Sequence, residues 1–303
     1  MKVAIYFNEL QPLLYGYYIC KGVIFLHRKI SAAVFTVLTA MFMCGCTSDK
    51  NTVGQSAGHN DRGGVTPAET AFLTDGKEKV CYGQGYETDS DNRPVGAIQA
   101  QEKYGSYGGR FIFGKDDKTI CLTFDEGYEN GCTGKILDIL KEKKVTATFY
   151  VTLDYVKSSP ELVQRMINEG HEVGNHSCTH PSLPDISDDM VFEEIHGLET
   201  YISDNFGGYK TVTMRPPRGE FSVRTLRIAK NMGYDTVLWS FAYNDWNTDA
   251  QPDRDTAYRR ITSATHNGAV YLLHAVSETN TAILPDVIDY WLDNGYTVKS
   301  ISG

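Results

Sequence analysis

The sequence predicts an α/β protein in which helices cover a parallel sheet. Two observations lead to this prediction: from residue 119 onward short apolar segments alternate with amphipathic segments of helical length, and glycines stand near the points where helices should end. Such alternation is typical of βαβ units with parallel strands. The sheet can close into a barrel or stay open, and in both forms catalytic residues gather at the carboxyl ends of the strands.

Seven strands and six helices are predicted in this region. The strands are 119–124, 147–152, 172–175, 212–215, 236–240, 269–274 and 297–301. The helices are 133–143, 160–169, 188–206, 222–232, 255–266 and 279–294. The glycines near helix ends are Gly170, Gly233, Gly268 and Gly295, because glycine adopts the left-handed conformation there without strain.

The composition allows an ordinary globular enzyme. The chain has 303 residues, of which 41% are hydrophobic and 22% charged, so it can bury one good-sized core. Its net charge of -9 argues against a nucleic acid partner, because affinity for nucleic acid depends mainly on Lys and Arg that neutralise phosphates.

Residues 1–46 are predicted to be an export leader. A basic cluster at 27–29 precedes an apolar run at 30–43, which is too short to span a bilayer comfortably and is typical of a signal peptide. An uncleaved anchor is the alternative. The sequence Met-Cys-Gly-Cys at 43–46 resembles a bacterial lipobox, although leucine is commoner at its first position. We therefore expect a lipid on Cys46 that holds the protein at the outer face of the cytoplasmic membrane, or else secretion to the cell wall.

Three further segments follow. Residues 47–91 are predicted to be a flexible tether, since their first part is rich in Ser, Gly, Asn and Asp without hydrophobic periodicity. Residues 92–118 are predicted to be a lead-in that packs on the main domain, residues 119–301. Residues 1–22 fit poorly as a leader, and we expect the true start of translation near residue 23 or 26.

Polar side chains that suit metal-assisted hydrolysis follow the ends of the predicted strands. Asp125 and Glu126 follow the first strand, and His176 and His180 follow the third. Carboxylate oxygens and imidazole nitrogens are zinc ligands, and a hydrolytic zinc site also needs an open position for water and a nearby base. Cys178 lies between the histidines, but a packing role is favoured there because free cysteine is usually buried.

Five ordered motifs in residues 119–301 resemble the NodB-type polysaccharide deacetylases, the family-4 carbohydrate esterases. They are Thr-Phe-Asp-Glu-Gly at 123–127, His-Ser-x-x-His at 176–180, Arg-Pro-Pro-Arg-Gly at 215–219, Asp-Trp at 245–246 and Leu-Leu-His at 272–274. The resemblance is strongest to the spore-cortex type, which removes acetyl from N-acetylmuramic acid before the muramic δ-lactam forms. It implies a distorted barrel with fewer than eight units, in agreement with about seven strands.

The resemblance assigns the acid and base chemistry. Asp125 is the expected general base, and Arg215 keeps it ionised and oriented. His274 is the expected general acid, which protonates the departing sugar nitrogen. Asp245 would orient His274, although a loop carrying an aromatic plug is the alternative for residues 245–246.

The resemblance also implies a divalent metal held by His176 and His180. Imidazole ligands favour zinc, with cobalt or nickel as substitutes. The family usually has aspartate as the third ligand where this chain has Glu126, whose carboxylate reaches roughly 1.5 Å further. Glu126 can ligate directly, contact the metal through water or have no role, and we expect one of the first two. Because Pro181 follows His180, the pair should project from a turn.

The remaining site residues concern the substrate. Trp246 and Leu272 are expected to line a small apolar pocket for the acetyl methyl group. The metal and the backbone N–H of Arg218 would stabilise the oxyanion, as in the family. The Arg218 side chain would then bind a substrate carboxylate, such as the lactyl group of muramic acid.

The predicted substrate is therefore the glycan strand of peptidoglycan. Two alternatives stay open: an enzyme acting on N-acetylglucosamine, chitin-like or xylan chains, and an impaired relative that binds glycan without hydrolysing it.

Overall fold

A computed structural model describes residues 76–303 and two short N-terminal strands, β1 (Ile19–Cys20) and β2 (Val23–Ile24), which pair antiparallel. Strands β1 and β2 belong to one compact unit of the chain and residues 76–303 to another. The lipidation site predicted at Cys46 and most of the predicted tether lie outside the described residues. Among the helices that are described, none is both long and apolar enough to cross a membrane.

The larger unit is built on a parallel sheet. Its strands and those of a small accessory sheet are β3 (Val80–Cys81), β4 (Gly109–Arg110), β5 (Thr119–Glu126), β6 (Thr148–Val151), β7 (Glu172–Asn175), β8 (Thr213–Met214), β9 (Glu220–Phe221), β10 (Asp235–Val237), β11 (Ala269–His274) and β12 (Thr297–Lys299). In the described residues the main sheet has eight strands in the order β11-β5-β6-β7-β8-β10-β4, with β12 paired to β5. Seven of these are the predicted strands, and β4 adds an eighth from the lead-in.

The sheet curls into a distorted barrel around β5. The first residues of β5 pair with β12 and its last four pair with β6, while β11 pairs along most of its length, all in parallel. After β10 the chain returns to β11, where Phe241 forms a parallel bridge with Tyr271 and its carbonyl accepts a hydrogen bond from Leu272 N at 2.8 Å. The predicted fold class, an α/β distorted barrel of about seven strands, is confirmed.

Eight α-helices in the described residues surround the sheet. They are α1 (Val95–Tyr104), α2 (Thr133–Lys143), α3 (Leu153–Ser158), α4 (Pro160–Asn168), α5 (Asp188–Asn205), α6 (Val223–Asn231), α7 (Arg254–Ser263) and α8 (Glu278–Asp293). The six predicted helices are all present, and several begin where a side-chain oxygen caps the first turn, at Ser187, Ser222, Asp253 and Ser277. Helix α1 was not predicted because it buries only Ala97, Ala100 and Tyr104, which gives a weak apolar stripe.

The core lies between the strands and the helices. Phe124 of β5 stacks on Phe149 of β6, with ring centroids 5.2 Å apart, and Trp291 of α8 is fully buried beneath Tyr271 of β11. Strand β5 is buried on both faces over most of its length, as is usual for a central parallel strand. The rigid strands therefore fix the side chains at their carboxyl ends.

A segment that we call the strap, residues 80–87, packs on the main domain although the tether was predicted to continue to residue 91. Strand β3 of the strap pairs antiparallel with β9, and Val95 N donates to Glu87 O at 2.9 Å. Contacts with the domain therefore begin before the predicted lead-in. The pairing of Cys81, left open by the sequence, is also answered for the described part of the chain, where Cys81 is a free thiol.

Candidate active site

The carboxyl ends of the strands surround an open cleft of about 1090 Å³. Seven of the ten site residues predicted in this part of the chain line it: Asp125, His176, His180, Arg218, Trp246, Leu272 and His274. Arg215 and Asp245 are fully buried and bond to members of this set. Glu126 is the exception, since it is not on the wall of the cleft.

Asp125 forms an ion pair with Arg215 at the end of β5. Its Oδ1 accepts a hydrogen bond from Arg215 Nη1 at 2.7 Å. Burial alone would raise the pKa of Asp125, but the charge of Arg215 and the nearby imidazoles of His176 and His274 hold the pKa below the usual 3.8. Asp125 is therefore a carboxylate at neutral pH, as a general base must be.

Arg215 is locked in place by the neighbouring strand. Its Nε and Nη2 donate to the carbonyls of Val237 and Leu238, each at 3.1 Å, and its guanidinium lies 4.3 Å from the Tyr150 ring centroid. Each of the three guanidinium nitrogens donates a hydrogen bond, which offsets part of the cost of removing this cation from water. The ion pair therefore fixes both the charge and the direction of the Asp125 carboxylate.

His274 lies directly beside Asp125 on the adjacent strand, since the two are register partners in the β11 and β5 pairing. Its Nδ1 is 2.7 Å from Asp245 Oδ1, and its backbone N–H donates to Asp245 Oδ2 at 2.9 Å. Asn280 of α8 donates a further hydrogen bond to that oxygen at 2.5 Å. Burial would lower the pKa of His274, but the hydrogen bond and charge of Asp245 raise it above 6.5. The side chain can therefore carry the proton that a general acid needs.

The two predicted metal-binding histidines lie together in the cleft as neutral imidazoles. Their ring centroids are 4.9 Å apart, and His180 follows a bend with a φ of 57°, outside the right-handed helical region that Pro181 disfavours. His176 Nδ1 lies 2.8 Å from Arg215 O, which places the proton on Nδ1 and leaves Nε2, 3.6 Å from Asp125 Oδ2, with its lone pair. Burial lowers the pKa of both rings, that of His180 to about 4.

Glu126 does not join these histidines, so the predicted ligation by this residue is not what the structure shows. Strand β5 continues through Glu126, and because side chains alternate along a strand, Glu126 points away from the cleft that Asp125 faces. Its side chain is fully buried, and neither carboxylate oxygen has a hydrogen-bond partner. Burial and the charges of Glu129 and Asp125 raise its pKa well above 4.5.

The donor set therefore fits a metal only in part. Two neutral imidazoles are suitable ligands for a late divalent ion. In the described residues, however, no group of three or more His, Cys, Asp or Glu side chains is arranged to hold an ion. The predicted site with three protein ligands, His176, His180 and Glu126, is therefore not present in this structure. The identity of any bound metal stays a prediction.

We expect Glu126→Gln to be more stable than the parent protein at neutral pH. The folded protein binds a proton at Glu126 that the unfolded chain releases above about pH 4.5, so the parent loses stability as the pH rises past this value. The neutral glutamine removes this dependence, with an expected gain of roughly 1–3 kcal/mol. Denaturant unfolding at about pH 4 and about pH 8 measures the difference.

The metal content of the Glu126→Gln variant tests this placement of Glu126. If Glu126 were a ligand, Glu126→Gln would lower the metal content of the purified protein and would not gain stability as the pH rises. We expect the metal content to be the same in both proteins.

The substrate-facing residues occupy the wall of the cleft. The Arg218 side chain is exposed, and its backbone has a φ of 62° in the turn after β8. Leu272 is buried and 56% of Trp246 is exposed, and both line the cleft. Gly219 allows the Trp239 ring to approach, since a Cβ there would lie 2.6 Å from it.

Several residues in or beside the cleft were not predicted. Gln84, Tyr86, Trp239 and Arg260 line it, and Asn280 supports Asp245 from behind. The strap residues come from a segment without periodicity, so no local signal places them here. Asn280 could have been suspected, because a polar residue in the first turn after His274 faces the same strand end.

Comparison with known proteins agrees with this geometry. The family model described as polysaccharide deacetylase matches residues 114–237. The peptidoglycan-N-acetylmuramic acid deacetylase PdaA of Bacillus subtilis is 43% identical over 200 residues, which are 66% of this chain and 75% of that protein.

Solved structures show the same fold. That of Bacillus subtilis PdaA, described as a family 4 carbohydrate esterase, matches with a TM-score of 0.71 and 39% identity, over 75% of this chain and 96% of that one. A CE4 family pseudoenzyme from Bacillus anthracis matches with a TM-score of 0.60 and 27% identity, over 64% of this chain and 67% of that one. The chain therefore belongs to the polysaccharide deacetylase family, the family-4 carbohydrate esterases, and is a hydrolase.

Proposed function

We propose that this protein removes the acetyl group from N-acetylmuramic acid residues of peptidoglycan and releases acetate. The observation that carries the proposal is the pairing of Asp125, held as a carboxylate by Arg215, with His274, whose ring bonds to Asp245 and whose pKa Asp245 raises, on adjacent strands at one cleft. The similarity to PdaA, a deacetylase of this substrate, points to the same sugar.

Asp125 acts as the general base in the proposed reaction. It takes a proton from a water molecule as the water oxygen attacks the amide carbonyl, and a tetrahedral intermediate forms. The carboxylate must be ionised and aimed for this step, and Arg215 does both. The backbone N–H of Arg218 is proposed to stabilise the oxyanion.

His274 acts as the general acid in the second step. It donates its proton to the amide nitrogen as the bond between carbon and nitrogen breaks, so the sugar leaves as an amine and acetate remains. An amine leaves far more readily when its nitrogen is protonated. Asp245, which accepts from the ring and backbone of His274 and from Asn280, holds the imidazolium. The completeness of both pairs favours an enzyme over a binding relative.

The charge of the cleft favours an anionic substrate. Asp125 is the one carboxylate among the described residues that line the cleft, and its charge is compensated by Arg215. Arg218 and Arg260 also line the cleft, and both are exposed. The cleft therefore has positive charge although the whole chain carries -9. N-acetylmuramic acid has a lactyl carboxylate that N-acetylglucosamine lacks, and Arg218 is proposed to bind it.

We expect Arg218→Ala to lose activity selectively on muramic substrates. Loss of a charge-assisted hydrogen bond to the lactyl group should lower kcat/KM on peptidoglycan glycan by roughly 10- to 100-fold. The much slower activity expected on chitin oligosaccharides should change little, because they carry no carboxylate. Acetate release from both substrates measures this. An equal loss on both would contradict the assignment, and faster parent activity on chitin oligosaccharides would favour a glucosamine deacetylase.

We also propose that the protein acts outside the cytoplasmic membrane, where peptidoglycan lies, and is anchored by a lipid on Cys46. The lipobox-like sequence at 43–46 supports this. A Cys46→Ser variant should leave the membrane fraction, and its retention there at the parent level would argue against the lipid anchor.

A further inference from the structure

The strap forms one wall of the cleft and is fixed to the domain by several hydrogen bonds. Tyr82 N donates to Gly219 O at 3.1 Å and Tyr82 Oη donates to Trp239 O at 2.7 Å. Gln84 donates from Nε2 to Ala242 O at 3.0 Å and accepts from Trp239 Nε1 at 2.9 Å. The four residues that follow Tyr82 line the cleft. The strap is therefore a built part of the site rather than a loose arm.

Tyr86 is held at this wall almost fully exposed. Its side chain is 96% exposed, the largest value among the large hydrophobic residues in the described chain. The preceding Gly85 has a φ of 74°, a left-handed conformation that turns the chain sharply just before Tyr86. A large ring that stays exposed in the folded protein buries almost no apolar area and so does not stabilise the fold. Its presence at this position therefore points to a ligand.

Two other exposed aromatic rings line the same cleft. Tyr128 is 53% exposed and Trp246 is 56% exposed. Of the four strongly exposed aromatic side chains in the described residues, only Phe192 lies away from the cleft. The exposed aromatic surface is thus concentrated where the proposed glycan binds.

Aromatic rings of this kind suit sugar rings. One face of a pyranose carries axial C–H groups, which are apolar and slightly positive and pack flat on the negative face of an aromatic ring. The cleft of about 1090 Å³ exceeds the roughly 300–1,000 Å³ that encloses one drug-sized ligand, so it has room for more than one sugar.

We propose that Tyr86 is the stacking platform of a second sugar subsite, which binds the N-acetylhexosamine next to the residue being deacetylated. This rests on the proposed function and extends it from a single sugar to a stretch of glycan chain. The strap precedes residues 114–237, the part that the family model matches, so that match assigns no role to it. Gln84 is a positioning residue, because its two hydrogen bonds hold the backbone that carries Tyr86.

The test compares glycan length. Tyr86→Ala should raise KM about 5- to 10-fold on peptidoglycan fragments of four or more sugars, leave kcat unchanged, and leave KM on the N-acetylmuramic acid monosaccharide within about 2-fold. Tyr86→Phe keeps the ring and should match the parent. Phe192→Ala is the matched control, since this ring is 41% exposed on α5 and outside the cleft.

Gln84→Ala tests the positioning role. It should give the same length-dependent rise in KM, and the double variant with Tyr86→Ala should be no worse than Tyr86→Ala alone, because both changes remove one interaction. A Gln84→Ala effect on the monosaccharide and long fragments alike would show a general structural role and would contradict its assignment.

The outcomes separate this inference from the proposed function. Equal KM values for parent and Tyr86→Ala on long fragments would overturn the subsite while leaving deacetylation intact. If no fragment released acetate, the proposed function would fail, and calorimetric titration of the long fragments would still decide the subsite. Tyr86→Ala would then have to bind them about 5- to 10-fold more weakly than the parent, and equal affinity would overturn the inference.

Discussion

Asp125→Asn is expected to lower kcat/KM for deacetylation by roughly 10²- to 10⁴-fold, the range that general base catalysis contributes. An amide cannot take a proton from water, whereas the parent carboxylate is ionised because Arg215 and the neighbouring imidazoles outweigh the effect of burial on its pKa. The asparagine oxygen can still accept from Arg215, so the fold should persist. The loss of stability should stay below the 3–5 kcal/mol typical when a buried ion pair is broken outright.

Asp235→Asn is the matched control for this prediction. Asp235 also pairs with an arginine, Arg110, at 2.9 Å, but their side chains are 49% and 40% exposed and lie outside the cleft. Its removal should leave activity unchanged and alter stability by about 1 kcal/mol at most. Acetate release and denaturant unfolding on both variants measure the difference. Activity of Asp125→Asn within 10-fold of the parent would exclude Asp125 as the base.

Asp245→Asn is expected to cause the second large loss and to change the shape of the pH profile. For the parent protein, the plot of kcat/KM against pH should be bell-shaped, because activity needs Asp125 ionised and His274 protonated. On the acid side, activity should fall below pH 3.8, because the pKa of Asp125 is lowered from that value. On the alkaline side, it should fall above pH 6.5, because the pKa of His274 is raised from that value. Without the Asp245 charge the pKa of His274 falls, since burial alone lowers it, and the alkaline limb should move to lower pH.

The size of this second effect follows from the number of bonds that Asp245 makes. It accepts from the His274 ring, the His274 backbone and Asn280, so asparagine disturbs both the proton and the orientation of the ring. We expect kcat/KM near neutral pH to fall roughly 10²- to 10⁴-fold. A pH series of kcat/KM distinguishes this from general damage. A fall of the same factor at every pH, with the alkaline limb unmoved, would show that Asp245 does not act through His274.

The acid and base pairs could be predicted because they depend on regular structure. Strands 119–124 and 269–274 are visible from their apolar residues, and parallel strands bring their carboxyl ends to one edge. Asp125 and His274 are in fact register partners. The buried partners Arg215 and Asp245 followed from the family resemblance, and the structure places both in direct contact with the residues they were expected to support.

Glu126 shows where local reasoning failed. The first strand was predicted to end at residue 124, which left the directions of Asp125 and Glu126 free. Pairing with β6 continues through Val151, so the pleat of β5 includes Glu126 and turns its side chain to the opposite face. The length of a strand depends on its neighbour, which a single segment of sequence does not contain.

The strap could not be predicted for a related reason. Its position depends on contacts with residues more than a hundred positions away, such as the bonds of Gln84 to Trp239 and Ala242. Glycine and tyrosine in this segment give no helical or strand period. One wall of the cleft, with Tyr86, therefore appears only once the whole domain is assembled.

The central claim is that this cleft deacetylates muramic acid in peptidoglycan. Its most direct test is mass spectrometry of the glycan fragments produced when the purified protein acts on peptidoglycan. We predict free amines on muramic residues, with glucosamine residues still acetylated, and no such products from Asp125→Asn. Deacetylation confined to glucosamine residues, or products that persist in Asp125→Asn, would contradict the account.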